Sequence, residues 1–264
     1  NTVQVTAQGE DLVQLSYGPS ALIMRANMGF RGHDESNPGF YINTRNGEWL
    51  SKEKADEVLN SAAKTTNDVN PVRIIPYVRD IRNILIMDLR PFLTSCGFDV
   101  SGEHSLEPDD KEQVRSIVAT LQAALSRAIT KHFQIELSEI FIEPLPNRNA
   151  PKQLLIYESG EGGSGVLNRL CRQPDEGKRP ALAVVAEVAL ELMHYERKGE
   201  LADEPWDPEK QEQYDQRKEC MGCYDCLLTY YNQPDHKRID RKNKMVFSFL
   251  AQLTNCELEG SVFI

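Results

Sequence analysis

Three cysteines within seven residues constrain this chain more than any other feature of its sequence. Cys220, Cys223 and Cys226 have the spacing C-x2-C-x2-C and make up half of the chain's six cysteines. Two thiolates separated by two residues can bind one divalent ion in a tight turn, and Zn²⁺ takes four nitrogen or sulfur ligands in a tetrahedron. The cluster therefore predicts a zinc site with these three ligands. A closed site needs a fourth ligand from elsewhere in the chain.

Three residues are candidates for the fourth ligand. His194 ends a predicted helix, and the long segment after it leads back to Cys220. Cys171 ends another predicted helix. His236 lies beyond Cys226, but a two-turn helix between them would carry it about 10 Å away at ~1.5 Å rise per residue. We rank His194 first, Cys171 second and His236 third. No acidic residue is well placed to activate a metal-bound water, so a closed structural site is favoured over a catalytic one.

The length of the chain and its apolar pattern indicate a cytoplasmic protein with a full core. A chain of 264 residues can bury one large core or two small ones, so it does not need the disulfides of small secreted domains. It has no apolar run of about 18 residues and no secretory signal pattern, so we expect no membrane helix. We therefore interpret the cysteines as reduced and partly metal-bound. The sequence starts at Asn1 rather than Met, as a fragment or a trimmed chain would.

Short alternating runs predict a β-rich N-terminal part, and the Asn46-Gly47 pair is a strong hairpin signal. The loop 31–38 contains His33 beside Asp34, which we interpret as solvated residues. The expected elements of this part are strands at 12–15 and 21–26 with a turn at 17–20, a hairpin of 39–44 and 48–50, a polar helix or linker at 51–70, and strands at 72–78 and 83–89.

The rest of the chain predicts helices packed on further strands. Residues 108–133 form the clearest helix, because apolar residues recur at helical spacing and Pro108 and Asp109 suit a first turn. Further elements are strands at 139–144 and 153–157, helices at 166–170, 180–195 and 243–253, and a short strand near 261–264. The fold class is therefore α+β. A β-rich N-terminal part (1–52) and a polar linker (53–70) precede a zinc-binding domain (71–264), which combines a mixed sheet, packed helices and a zinc-stapled C-terminal helical region.

A glycine-rich loop at 158–165 follows one of these strands and leads into a helix. A strand, a glycine loop and a helix in this order can cradle a phosphate with backbone N–H groups. The loop lacks the Lys-Ser/Thr of a P-loop, and its residues Glu158 and Glu161 would repel an anion. We interpret it as a tight turn that lets the helix pack closely.

Five basic residues follow the cysteines in a chain whose formal net charge is −10. Only Asp240 opposes them locally, and Tyr230 and Tyr231 lie nearby in the sequence. Basic residues beside aromatic ones can contact a nucleic-acid backbone and stack on bases, although a charge run is more often a solvated face. The candidate nucleic-acid-binding residues are Lys237, Arg238, Arg241 and Lys242, with Lys244 beside them.

Catalytic motifs are absent from this sequence. It has no nucleophile elbow, no H-E-x-x-H and no Walker motif. Asp88, Glu139 and Glu143 could form a nuclease site, but their spacing does not favour one.

Residues 223–236, with Ile239-Asp240-Arg241 after them, resemble the signature of the C-terminal zinc-binding domain of MrfA-type superfamily 2 helicases. The DISARM anti-phage proteins DrmA and DrmB carry the same kind of domain. The loop 157–165 is similar to the glycine-rich element of this family, and 75–85 and 27–49 also resemble such proteins. The resemblance implies that Cys220, Cys223 and Cys226 are ligands. Members of the family tend to have four closely spaced cysteines, and here the fourth is missing. Many have a Cys-His pair where this chain has Met193-His194, which favours His194.

The resemblance implies a non-catalytic zinc module of a bacterial anti-phage helicase complex of the DISARM kind, without the ATPase motor itself. Its expected cofactor is Zn²⁺. Its expected partners are a helicase or another subunit of the defence complex, with DNA as a further candidate and no membrane. Two other functions stay open: a DNA-processing nuclease of the same system, and a pure protein-interaction scaffold, which the acidic charge favours.

Overall fold

A computed structural model describes residues 2–29, 38–60, 69–102, 105–160 and 162–260. The elements in chain order are β1 (Thr2–Ala7), β2 (Glu10–Ala26), β3 (Phe40–Asn43), β4 (Trp49–Leu50), α1 (Lys52–Asn60), β5 (Pro71–Ile74), β6 (Tyr77–Asp88), α2 (Arg90–Ser95), α3 (Pro108–Phe133), β7 (Ile140–Leu145), β8 (Gln153–Glu158), α4 (Val166–Cys171), α5 (Ala181–Leu192), α6 (Gln211–Tyr214), α7 (Lys244–Leu253) and β9 (Glu257–Glu259). The predicted α+β class is confirmed.

The chain divides into two compact units whose bounds differ from the predicted segments. Asn1–Ala21 and Arg82–Ile264 form the first unit, and Leu22–Ile81 forms the second. The boundaries between the two units fall within β2 and β6, so they do not coincide with the polar linker predicted from the sequence. The division into 1–52, 53–70 and 71–264 stays a prediction.

The first unit is built on a six-stranded sheet in the order β7-β8-β6-β2-β1-β9. β1 pairs antiparallel with β2 and β9, and β8 pairs antiparallel with β6 and β7. Helices α3, α5 and α7 pack against one another, and their apolar faces form one hydrophobic core with the sheet. The cysteine segment joins this core through Cys226 and Leu227, both fully buried.

Helix α3 has the predicted bounds, Pro108–Phe133. Pro108 stands in its first turn with Asp109 and Asp110, where acidic residues favour the positive end of the helix dipole. Gln134 ends the helix in the left-handed conformation, with φ 55°. The predicted apolar stripe is buried, so α3 is the central scaffold of this unit.

The turn predicted at 17–20 is wrong, because β2 runs unbroken from Glu10 to Ala26. Ser20 takes a left-handed φ of 56°, and its N–H donates to Asn83 Oδ1 at 3.2 Å. A Cβ on Gly18 would lie 3.2 Å from the Ile84 side chain. Pairing in the middle of the sheet therefore overrides the local turn residues.

The second unit contains the three-stranded sheet β4-β3-β5, in which β3 pairs antiparallel with both neighbours. The predicted hairpin of β3 and β4 is confirmed, and Gly47 supplies the positive φ of 75° that the turn needs. Asn43 Oδ1 accepts hydrogen bonds from the N–H groups of Arg45 and Asn70. The loop with His33 and Asp34 lies outside the described residues.

In the C-terminal region, turns separate the cysteines from the last helix. Residues 227–243 form turns with one short 3-10 helix at Gln233–Asp235, and α7 follows alone. The predicted strand near 261–264 lies outside the described residues, while β9 forms just before it. Among the described residues, no helix is both long and apolar enough to cross a membrane.

Candidate metal centre

Four side chains converge at one point of the first unit: His194, Cys220, Cys223 and Cys226. One ligand atom from each lies within 4.8 Å of the other three. His194 Nε2 is 3.3 Å from Cys223 Sγ, and Cys223 Sγ is 3.4 Å from Cys226 Sγ. Cys226 is buried and the other three are half-buried. The structure thus brings the first-ranked fourth ligand to the three cysteines.

His194 reaches the cysteines because it occupies the residue after the C-cap of α5. Its φ is 64°, in the left-handed region that few non-glycine residues adopt. Its N–H donates to Glu191 O at 3.0 Å, and the N–H of Tyr195 donates to Leu190 O at 3.1 Å. These two bonds form a Schellman motif, which usually places glycine here. A histidine at this strained position is consistent with a functional requirement for its ring.

A short backbone pairing returns the chain from α5 to the cysteines. Tyr195 and Asp215 form an antiparallel bridge. The N–H of Gln216 donates to His194 O at 3.0 Å, and that of Glu196 donates to Tyr214 O at 3.0 Å. The segment that leads into Cys220 is therefore tied directly to His194.

The cysteine segment folds into a tight turn around its own sulfur atoms. The Cys223 carbonyl accepts from the N–H groups of Cys226, Leu227 and Leu228 at 3.1, 3.0 and 2.9 Å. The Cys223 N–H donates to Cys226 Sγ at 3.0 Å. Backbone donors aimed at sulfur stabilise a thiolate, so the turn is suited to hold negative charge.

The thiols of this turn differ in acidity. Burial raises the pKa of Cys223, but hydrogen bonds from His194, Cys226 and Cys220 outweigh it and lower the pKa to about 6. Burial raises the pKa of Cys226 to about 11. Cys223 therefore has thiolate character near neutral pH, while Cys226 gives up its proton only to a strong competitor such as a metal ion.

Zinc fits this donor set. Three sulfurs and one imidazole nitrogen are a common structural zinc set, and a tetrahedron with Zn–S near 2.3 Å and Zn–N near 2.0 Å places ligands about 3.5–3.8 Å apart. The observed separations of 3.3 and 3.4 Å are within a few tenths of an ångström of this spacing. Four protein ligands leave no open position, as expected of a structural rather than a catalytic site.

Helix α3 supports the cysteine turn and the segment after it. Arg127 Nη1 donates to Tyr224 O at 2.8 Å. Ser116 Oγ donates to Arg238 O at 2.7 Å, and the N–H of Asp240 donates to Thr120 Oγ1 at 3.0 Å. The turn therefore rests on the longest helix of the unit.

The other two candidate ligands lie outside the cluster. Cys171 is buried in the core at the end of α4, where burial raises its pKa to about 12. His236 Nε2 makes hydrogen bonds with Thr229 O and Asn232 Oδ1, both at 3.0 Å, and so closes the loop after Cys226. The helix expected between Cys226 and His236 does not form.

The assignment of Arg241 to nucleic-acid binding is wrong, because its side chain is fully buried and paired with Asp215. Arg238 is partly exposed and forms ion pairs with Glu112 and Asp235. Lys242 is exposed, and its Nζ donates to Lys218 O at 3.0 Å. Lys237 is exposed as well. The exposed basic surface is therefore smaller than the sequence predicts.

The glycine loop binds a carboxylate of its own chain. Glu158 is buried, and its Oε1 accepts from Val166 N at 2.9 Å, at the start of α4, and from Ser164 Oγ at 3.1 Å. Glu158 Oε2 accepts from Asn83 Nδ2 at 3.0 Å. A Cβ on Gly163 would lie 1.7 Å from Glu158 Oε2. The Glu158 carboxylate occupies the position at the start of α4 where a phosphate would bind, so the loop has a structural role.

The three acidic residues considered for nuclease activity stay apart in separate interactions. Asp88 accepts hydrogen bonds from Arg90 and from Gln153. Glu139 accepts from Glu136 N at 3.0 Å, and Glu143 pairs with Arg148 at 3.5 Å. They do not form a group that could hold a metal ion.

Comparison with protein families matches the segment that contains this centre. Residues 121–227 match the MrfA Zn-binding domain. The match begins within α3, includes α5 with His194 and ends just after Cys226, so it confirms the resemblance and zinc as the cofactor. Comparison with curated proteins gave no match.

A solved structure is also similar to this chain. It is the crystal structure of the DUF1998 helicase MrfA bound to DNA, with 11% sequence identity and a TM-score of 0.45. The similarity covers 96% of this chain and 25% of the helicase chain, so this chain spans about a quarter of the length of that protein.

Sequence reasoning missed one residue of this centre. Arg241 donates hydrogen bonds to the carbonyls of Met193 and Cys220, next to and within the ligand set. Because Arg241 lies in a run of basic residues, the sequence suggested that its side chain is exposed. The sign available in the sequence for a buried ion pair was the acidic Asp215, which precedes the cysteines.

Proposed function

We propose that this chain is a non-catalytic accessory module of a helicase assembly, held together by one Zn²⁺ on His194, Cys220, Cys223 and Cys226. The convergence of these four ligand atoms within 4.8 Å of one another is the observation that carries the proposal. The family match supports zinc as the metal and a helicase-type protein as the context. A closed tetrahedron supports a structural role, in which zinc ties the end of α5 to the cysteine turn.

Metal analysis of the purified, reduced protein tests this proposal. We expect about one equivalent of zinc, as for a single four-ligand site. The variants Cys223→Ser and His194→Ala should lose most of it. Cys96→Ser is the matched control, because Cys96 is a half-buried thiol that does not belong to the cluster. Wild-type protein without bound zinc, or a His194→Ala variant with undiminished zinc affinity, would contradict the assignment.

The finer proposal places this module in a bacterial anti-phage complex of the DISARM kind, where it mediates subunit assembly in the cytoplasm. The motif residues 223–236 and the glycine loop support it by their resemblance to that family. Phage plating on cells that carry the complete system is the test. Cys223→Ser should abolish protection and Cys96→Ser should preserve it. Equal protection by both variants would argue against a role in assembly.

The proposal also includes contact with DNA. The candidate contact residues are now Lys237 and Lys242, with the partly exposed Arg238 beside them. Lys237 and Lys242 are exposed on the segment that follows the zinc turn. Since phosphate contacts release counterions, replacing both lysines with Glu should weaken DNA binding of the assembly and flatten its salt dependence. Lys54→Glu, on an exposed side chain of the second unit, is the control. Unchanged affinity at low salt would favour a protein-interaction scaffold instead.

A further inference from the structure

Arg241 carries a buried positive charge beside the metal centre. The exposure of its side chain is 0%, and that of Asp215, its ion-pair partner at 2.7 Å, is 5%. A buried charge is costly unless it is paired and its donors are satisfied. The position of a charged residue here therefore needs a reason other than filling the core.

The guanidinium joins the two segments that supply the ligands. Arg241 Nη1 donates to Met193 O at 2.9 Å, one residue before His194, and Nε donates to Cys220 O at 2.6 Å. Nη2 donates to the carbonyl of Arg217 as well as to Asp215. One side chain thus fixes the carbonyls around both His194 and Cys220.

The backbone of Arg241 also makes hydrogen bonds to residues of both ligand segments. Its N–H donates to Met221 O at 2.9 Å, and its carbonyl accepts from Tyr195 Oη at 2.8 Å. The guanidinium also lies 5.3 Å from the centre of the Tyr195 ring, within the range of a cation–π interaction. Tyr195 Oη in turn accepts from Gln211 Nε2 at 2.7 Å. These contacts between protein groups hold the residues next to His194 and Cys220.

We infer that Arg241 is the positioning residue of the zinc site: it holds His194 and Cys220 in place before the metal arrives. This inference rests on the proposed zinc-binding function. A planar guanidinium with five donors can bridge three carbonyls and a carboxylate at fixed angles, which a lysine ammonium cannot do. The site is consequently preorganised, unlike zinc fingers, which fold only on binding the metal.

Zinc affinity and the Co²⁺ absorption spectrum of Arg241→Lys test the inference. Arg90→Lys is the matched control, because Arg90 also pairs with an aspartate, Asp88, and lies in neither ligand segment. We expect Arg241→Lys to fold and to bind zinc about 10–100-fold more weakly, as is typical when a residue that orients metal ligands is replaced. Its Co²⁺ spectrum should change, because the angles at Cys220 and His194 relax. Asp215→Asn is a second variant with the same expectation, which covers the case that Arg241→Lys fails to fold.

A purely structural role predicts a different result: a lower free energy of unfolding with unchanged zinc affinity and Co²⁺ spectrum in the folded protein. That result would overturn the inference. Hydrogen exchange of the zinc-free wild type gives a second measurement. The amides of Arg241 and Gln216 should stay protected after chelation, and their loss of protection would also overturn it. Absence of zinc from the wild type would instead refute the proposed function itself.

Discussion

Replacing Gly163 with Ala should be among the most destabilising single changes in the glycine loop. A Cβ at this position would lie 1.7 Å from Glu158 Oε2 and 2.4 Å from Asn83 Nδ2, so the carboxylate has to move. The φ of Gly163 is 67°, and a left-handed conformation costs a side-chain-bearing residue about 1–2 kcal/mol. Losing one hydrogen bond to the buried carboxylate adds about 1.5–3 kcal/mol. The expected loss of unfolding free energy is therefore about 2.5–5 kcal/mol.

Variants of two neighbouring glycines measure the conformational cost and the cost of the clash separately. Gly162 has a φ of 79° but open space around its Cβ position, so Gly162→Ala should cost only the conformational part, about 1–2 kcal/mol. Gly160 has open space and no left-handed φ, so Gly160→Ala should change stability by no more than about 1 kcal/mol. Urea denaturation of the three variants gives the comparison.

A double-mutant cycle completes the test. If the clash with Glu158 is the cause, Gly163→Ala should cost less in a Glu158→Ala background than in the wild type, since the two changes act on one contact. The reasoning would be refuted by a Gly163→Ala variant as stable as Gly162→Ala, or by costs that simply add. A stability change would confirm that the loop is structural, because the carboxylate already occupies the start of α4.

Three further predictions concern the metal centre and its support. Zinc must displace the proton of Cys226, whose pKa is about 11, so the zinc affinity measured by chelator competition should fall at least about tenfold per pH unit on acidification. The fall should be steeper below about pH 6, where Cys223 also binds a proton. A flat profile between pH 5 and 8 would contradict this. His236→Ala should keep full zinc occupancy by metal analysis and lose about 1–3 kcal/mol of stability, since it removes two loop hydrogen bonds and no ligand; loss of zinc would mean that His236 is a ligand. Thr120→Val should cost about 1–3 kcal/mol in urea denaturation, because the N–H of Asp240 loses its acceptor; a cost below about 0.5 kcal/mol would show that α3 does not anchor this segment.

Local sequence signals were sufficient to predict an element wherever the residues of that element alone determine its structure. Helix α3 begins at Pro108 and ends at Phe133 as predicted, since its first-turn residues and apolar period act within the helix itself. The hairpin at Asn46-Gly47 formed for the same reason. The turn predicted at 17–20 is wrong because Gly18 and Ser20 lie within a strand that pairs with β6, which comes from a distant part of the chain.

The same distinction applies to the metal centre. The spacing of Cys220, Cys223 and Cys226 by itself determined a zinc-binding turn, because all three sulfurs lie within one short loop. The tertiary structure alone decided that His194 joins them and that Cys171 does not, since the fold buries the thiol of Cys171 in the core. It also decided the role of Arg241, whose charge in the sequence suggested solvent and whose environment is a set of carbonyls from two distant segments. Spacing specifies what one loop can bind, whereas contacts between segments far apart in the chain depend on which surfaces the core brings together.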